Sequence, residues 1–281
     1  MATCIIRRAG RLGNQLFEYA ALRTWLAAED RLVLLGFDEA ARAVDWIQAR
    51  TLALTRNRSR AYTALVRTAK LVGSAPVRIA DANLVRDGRP QGLMVCEEEY
   101  FQEPALIDPV RLGPLRPAAS MLRRADRLLR AGLRPGDTPV FVQVRRADYL
   151  TWGVAGEPAA VSDDWLWERS HEALQRVPRG RLVLLSDDVP HAVRVLAEFE
   201  PIIGSDDAAV DLAVMSRCAA GVLSPSSFAW WGAWFAVHRS QAPGPFLAPR
   251  YWVGHATGRW FPPRMESAFL EYSDVGEPRH G

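Results

Sequence analysis

The segment Pro139-Val140-Phe141-Val142-Gln143-Val144-Arg145-Arg146-Ala147-Asp148-Tyr149 decides the fold. Its first six residues are apolar except for Gln143, and an unbroken apolar run of this length is what a strand buried on both faces requires. Similar runs recur at Leu182 to Leu185, Pro201 to Ile203, Gly221 to Leu223 and Phe246 to Ala248. Helix-like segments separate them at Trp165 to Arg176, His191 to Phe199, Ala208 to Cys218 and Phe228 to His238. Strand and helix alternating in this way predict a parallel sheet covered on both faces. The first half opens on the same pattern, with a strand at Cys4 to Arg7, a helix at Gln15 to Ala28 and a strand at Arg31 to Leu35. Phe17, Ala21, Trp25 and Ala28 fall along one apolar stripe of that helix. The expectation is an α/β protein of two Rossmann-like halves. The linker at Gly132-Leu133-Arg134-Pro135-Gly136-Asp137 divides residues 1–132 from 133–281. The middle, from Asp38 to about Ala131, reads as mostly helical, with Gly92 to Cys96 its clear strand.

Of 281 residues, 49% are apolar and 24% charged, which excludes disorder, collagen and coiled coil. No apolar run approaches the roughly eighteen residues of a bilayer crossing. The opening Met1-Ala2-Thr3-Cys4-Ile5-Ile6 has no secretory signal pattern, so a cytoplasmic location is expected, with the inner membrane face as an extension of it. Cys4, Cys96 and Cys218 lie in apolar surroundings and predict reduced core thiols. The basic residues are arginine except for Lys70, and the net charge is +3. That charge excludes a nucleic-acid binder, while arginine's planar fork suits small anionic ligands. The patch Arg56, Arg58, Arg60 and Arg67 reads first as a solvated helix face and second as a peripheral contact with an anionic membrane.

In a parallel sheet, ligands bind beyond the carboxyl ends of the strands. Four such ends carry polar chemistry. Arg8-Ala9-Gly10-Arg11-Leu12-Gly13-Asn14-Gln15 is a glycine-containing turn whose backbone N–H groups suit an anion, without the lysine of a P-loop or the third glycine of a dinucleotide site. At Val144 a strand runs directly into Arg145 and Arg146. An ordinary Arg146–Asp148 ion pair accounts for part of this, but two arginines leaving a buried strand point to a resident or visiting anion. Leu184-Leu185-Ser186-Asp187-Asp188 is read as a strand end followed by a helix cap. Asp211 leads a helix toward Ser224-Pro225-Ser226-Ser227, where Ser226 and Ser227 either cap the next helix or meet a phosphate, and Trp230, Trp231 and Trp234 belong to the core.

These four segments, in this order and spacing, resemble the α-1,2-fucosyltransferases, glycosyltransferase family eleven. That family has a Gly-x-Gly-Asn-Gln-type opening, a His-x-Arg-Arg-x-Asp-Tyr motif and an Asn-Ser-Ser-Phe-Ser-Trp-Trp-like stretch. Glu99-Tyr100-Phe101-Gln102-Glu103 and Pro249-Arg250-Tyr251-Trp252 are similar to two further family segments, so the resemblance spans nearly the whole chain. It implies a GT-B architecture, two Rossmann-like domains facing a central cleft, with residues 1–132 on the acceptor side and 133–281 holding GDP-fucose. It also implies inverting transfer of L-fucose to a galactose-type hydroxyl of a saccharide acceptor, as by a galactoside 2-α-L-fucosyltransferase, without a cofactor or an essential metal. Arg145 is then the first catalytic candidate and Arg146 the second. Asn14, Gln15, Gln143, Arg145, Arg146, Asp148, Asp211, Ser226 and Ser227 are the implied donor-binding residues.

The sequence departs from the family at Gln143, where the family has histidine, at Ala147 for glycine, at Arg11 after Gly10, and at Pro225 for asparagine. A glutamine amide both donates and accepts hydrogen bonds, so it can replace a histidine that contacts a base. The other reading is a non-catalytic or differently specific GDP-sugar binder, or a relative acting on protein- or lipid-linked glycan. Asp38, Glu98 and Glu99 lie in the acceptor half without marking a general base. Because no histidine or carboxylate set has metal-ligand spacing, transfer is expected at full rate in excess chelator. Loss of activity that added magnesium or manganese restores would refute this.

Overall fold

The computed structural model describes residues 1–45, 51–54, 62–64, 66–67, 77–96, 100–113 and 115–276. They form two units, Met1–Arg116 and the rest from Pro117 onward, each built on one all-parallel sheet. In the first unit β1 (Thr3–Arg7) is flanked by β2 (Arg31–Leu35), β3 (Thr51–Leu54), β4 (Val77–Ala80) and β5 (Leu93–Cys96), in the order β3-β2-β1-β5-β4. The expected strands on either side of the first helix are therefore present. The expectation of a mostly helical middle is corrected by β3 and β4. Each has only four residues and pairs on one side only, too short for a strand period to register in the sequence.

The helix after β1 is α1 (Leu12–Trp25), and it starts and ends three residues earlier and is more deeply set than expected. The backbone turns extended at Leu26, leaving Ala28 exposed. Leu12, Gly13 and every residue from Gln15 to Arg23 are buried, so the helix is enclosed on all sides rather than along one stripe. Two further short helices are α2 (Asp38–Ala43) and α3 (Ala82–Asp87). Asp81 caps α3 by accepting the Leu84 N–H at 2.8 Å.

The second unit opens with α4 (Ala119–Gly132) and continues through β6 (Thr138–Val144), α5 (Asp163–Arg176), β7 (Gly180–Ser186), α6 (Val189–Val195) and β8 (Ile202–Ile203). Then come α7 (Ala208–Met215), β9 (Ala220–Leu223), α8 (Ser227–Ser240), β10 (Phe246–Pro249) and β11 (Glu271–Ser273). The sheet runs β8-β7-β6-β9-β10-β11. Within the unit this is the doubly wound order three-two-one-four-five-six, with β6 first and the reversal between β6 and β9. Val140, Val142 and Val144 pack on one face with Trp165 and Leu166 of α5. On the other face Phe141 meets Phe246, ring centroids 6.1 Å apart.

The division between the units lies at Arg116/Pro117, not at 132. Arg-rich α4 belongs to the second unit because Met121, Ala125 and Leu129 form a buried stripe and the helix packs on α7. Ion pairs fasten the same helix to neighbouring segments, Arg124 Nη1 to Asp207 at 2.6 Å and Arg217 Nε to Asp126 at 3.0 Å. The glycine-proline stretch after it is an ordinary helix-to-strand loop. Two other expectations hold: Trp230, Trp231 and Trp234 are core, in edge-to-face contact, and all three cysteines are buried and free.

Gly221 of β9 lies against the Phe141 ring so closely that a Cβ would sit 2.3 Å from two ring carbons. Gly221→Ala is expected to destabilise by about 1–3 kcal/mol through overpacking. That corresponds to a melting temperature lower by roughly 2–4 °C per kcal/mol. An unchanged melting curve would show that the Phe141 ring is free to move.

Candidate functional site

At the reversal of strand order, chain crossovers leave β6 and β9 in opposite directions and open the space beyond their carboxyl ends. Three strand ends meet there. From β9, the Ser224 N–H donates to the Gln143 carbonyl at 3.0 Å, and the Ser224 hydroxyl accepts the Arg145 N–H at 3.0 Å. From β7, Asp187 Oδ1 accepts the N–H groups of Arg146 at 2.8 Å and Ala147 at 3.2 Å. Asp187 Oδ2 lies 3.2 Å from Arg145 Nη1. Each strand end is thus held by the next.

Arg145 is the best fixed of the charged groups, with 17% of its side chain exposed. Its Nη2 lies 2.7 and 2.8 Å from the two carboxylate oxygens of Asp148, and its guanidinium sits over the Tyr149 ring, 5.3 Å from the centroid. Burial pushes the Tyr149 hydroxyl up to about 12, against the opposing pull of Arg145. That hydroxyl donates to the Pro225 carbonyl at 3.1 Å, so the residue that replaces the expected asparagine contributes its backbone oxygen. Arg146 Nε lies 3.4 Å from Asp188 Oδ2 without hydrogen-bond geometry, and its Nη1 lies 3.9 Å from Asp163. Asp188 also caps α6, accepting the His191 N–H at 3.3 Å, which matches the capping role expected at this strand end.

The two partners of Arg145 differ. Asp187 is anchored by backbone N–H groups and 23% exposed, whereas Asp148 is 54% exposed. An incoming anion would displace the exposed carboxylate more readily than the anchored one. The sequence reading treated Asp187 as half of a helix cap and passed over Ser224. The only available signal for either was its position directly after an apolar run.

Gln143 is buried, lies between Leu185 and Leu223 in strand register, and its Oε1 has no hydrogen-bond partner among the described residues. A buried, unpaired amide oxygen at a strand end costs stability unless a ligand satisfies it. Asp211 lies on the same side: the Leu185 side chain reaches Gly204, where an added Cβ would come within 3.0 Å of Asp211 Oδ1. That oxygen accepts the Ser205 N–H at 2.8 Å and the Ser205 hydroxyl at 3.0 Å. Ser226 is the N-cap of α8 but makes no side-chain capping bond, leaving its hydroxyl uncommitted to the helix. Ser227 begins the helix beside it.

Asn14 and Gln15 belong to the first unit. Gln102 donates to Asn14 Oδ1 at 2.7 Å. Gln15 is fully buried, with Oε1 accepting the Ala40 N–H of α2 at 3.1 Å and Nε2 donating to the Gly10 carbonyl at 3.4 Å, so both ends of its amide hold protein backbone. Asp38 is exposed at the start of α2. Glu98, Glu99, Arg56, Arg58 and Arg60 lie outside the described residues. Among the described residues there is no group of three metal-ligating side chains and no helix long and apolar enough to cross a membrane.

Residues 115–242 match the family model of glycosyl transferase family 11. All but the first two residues of that match lie in the second unit. The family 11 match begins ahead of α4 and ends after α8, and so includes Gln143, Arg145, Asp187, Asp211 and Ser224 to Ser227. The O-antigen biosynthesis glycosyltransferase WbnK of Escherichia coli is 24% identical over 169 residues, 56% of this chain; the chain spans about half of that relative, 55% of its length. Fucosyltransferase NodZ from Bradyrhizobium superposes with a TM-score of 0.52 at 15% identity, covering 83% of this chain and 92% of NodZ. POFUT1 in complex with GDP gives 0.55 at 13% identity, covering 87% and 98%. A family 9 glycosyl transferase from Veillonella parvula gives 0.54 at 11% identity, covering 97% and 86%. The fold of the chain is therefore the GT-B class of α/β protein.

Burial holds the Asp211 carboxyl up to about 6, above its ordinary 3.8. The folded state consequently binds an extra proton between about pH 4 and pH 6, and stability falls as pH rises through that window. Asp211→Asn removes the titration. Its stability relative to the parent is expected to improve by about 2 to 3 kcal/mol between pH 4 and pH 7, read from denaturant melts. A difference independent of pH would place the carboxyl at its ordinary value.

Proposed function

We propose that the chain is a glycosyltransferase that moves L-fucose from GDP-fucose to a saccharide hydroxyl, with inversion and without a required metal. The second unit takes the donor, and the first unit contributes to holding the acceptor. The observation that carries this reading is Arg145, set at the strand-order reversal inside the family 11 match and paired with one anchored and one exposed carboxylate. Fucosyl transfer separates a cationic sugar from a diphosphate, so stabilising charge on the departing phosphate is the useful catalytic act. Arg145 makes that contact with two N–H groups when the diphosphate displaces Asp148, while Asp187 keeps the guanidinium aimed. Arg146 adds charge from behind. The Ser226 hydroxyl and the first N–H groups of α8 hold phosphate oxygens at a helix start.

Guanine presents N1–H and N2–H donors along one edge, and a carboxylate accepts both. Asp211 is the proposed acceptor of that pair, through the oxygen opposite the one bound by Ser205, and Gln143 meets an adjacent edge of the base with its unpaired amide oxygen. Asn14 stays in the proposal as a first-unit contact. Gln15 does not, since its amide is spent on backbone. A galactose-type acceptor and an α-1,2 linkage are the finer part of the proposal, resting on the family alone.

Arg145→Lys is expected to recover little of the transfer lost in Arg145→Ala, since one ammonium cannot reproduce a two-pronged grip. The contact is worth about 1.5–3 kcal/mol, more if it strengthens in the transition state. Calorimetric titration of GDP, ADP and UDP into the parent and Asp211→Asn checks the base: the variant should lose GDP affinity and its preference over ADP. Near-parent rates in Arg145→Lys would sink the phosphate clamp, and unchanged GDP selectivity in Asp211→Asn would sink the guanine assignment.

A further inference from the structure

Trp152 is the one exposed tryptophan among the described residues, at 47% exposure. It does not belong to any core, yet it is held firmly. Its N–H donates to the Asp148 carbonyl at 2.9 Å and its carbonyl accepts the Ala159 N–H at 3.0 Å. The next residues form a short antiparallel hairpin, Gly153–Val154 against Glu157–Pro158, turning through Ala155 and Gly156 at positive φ. Gly153 is obligatory there, because a Cβ would lie 1.8 Å from the Glu157 carbonyl oxygen. The indole ring stacks at a tilt on Tyr149, centroids 5.3 Å apart, and Tyr149 in turn lies under the Arg145 guanidinium at 5.3 Å.

An ordered indole facing solvent forgoes the burial that ordinarily places this side chain, while its backbone and its stacking partner are both fixed. Such a ring offers a flat apolar plate whose position relative to Arg145 is set in advance. A pyranose ring fits it: one face is lined by C–H bonds that stack on an aromatic ring, while its hydroxyls project outward to polar groups. The half-exposed Asp148 carboxylate, on the same strap, is an acceptor for such hydroxyls. Leu150, two residues before Trp152, is a second exposed apolar side chain, at 45%.

We propose that Trp152 is a sugar-binding platform, stacking a pyranose ring of the saccharide whose transfer Arg145 serves; this rests on the functional reading above. The ring is either that of the acceptor or that of the transferred sugar. The test is side-chain NMR of protein carrying 15N-tryptophan, titrated with methyl β-D-galactopyranoside and with methyl α-L-fucopyranoside, with and without GDP. The Trp152 indole resonance is identified as the one missing in Trp152→Phe. Its saturable shift with the galactoside is expected and marks the acceptor; a shift with the fucoside instead marks the transferred sugar. Trp152→Ala should then raise the KM for the galactoside at least tenfold relative to its effect on kcat, and Trp152→Phe should recover part of this. If neither sugar moves the resonance in protein that calorimetry shows to bind GDP, the platform is wrong and the donor reading stands. If a sugar moves it in protein that does not bind GDP, the platform stands and the donor reading falls.

Discussion

The reversal of strand order between β6 and β9 is the constraint on which the second unit's chemistry depends. Elsewhere in the sheet, neighbouring strands are joined directly by their own crossover connection. At the reversal no crossover bridges the gap, so backbone and side chains at the two strand ends must find partners in each other. Ser224 and Asp187 fulfil this by binding the N–H groups of residues 145 to 147, and the arginines follow from that fixed backbone.

Local charge at this place is unlike the charge of the chain. The protein as a whole carries a net +3, but Arg145 and Arg146 are surrounded by Asp148, Asp163, Asp187 and Asp188. Such an arrangement keeps two arginines in place in the absence of an anion, and it would make anion binding an exchange of partners rather than the filling of a bare positive site. Net charge therefore carried no information about the ligand.

How much the sequence told follows from burial. The central strands β6, β7, β9 and β10 were legible because each is enclosed on both faces and reads as an apolar run. The edge strand β11 was not, since Glu271-Tyr272-Ser273 has no such run, and β3 and β4 were too short to stand out. Arg-rich α4 was assigned to the wrong unit because charge dominates its composition, although Met121, Ala125 and Leu129 carry its packing. Arg145 was legible as a charge leaving a buried strand. Asp187 was not, because an aspartate after a strand looks the same whether it caps its own helix or binds the backbone of the next strand. Gln15 shows the converse: motif position suggested a ligand contact, and both halves of its amide turn out to hold the β1–α1 turn and α2.

The strap from Asp148 to Ala159 is closed on itself by main-chain hydrogen bonds, the N–H groups of Ala159 and Ala160 returning to the Tyr149 carbonyl, and is tied to the unit by Asp148 on Arg145 and by the Tyr149 hydroxyl on the Pro225 carbonyl. Main-chain closure fixes its length and its turn while leaving the exposed side chains of Leu150, Trp152 and Glu157 outside the hairpin's own hydrogen bonds. Substitutions at these three positions would therefore leave the Arg145 contacts with Asp148 and Asp187 in place. In engineering terms the strap is an exchangeable cassette: a transplanted hairpin that keeps Gly153 and its turn would retain its seat, and new specificity would enter through three or so side chains.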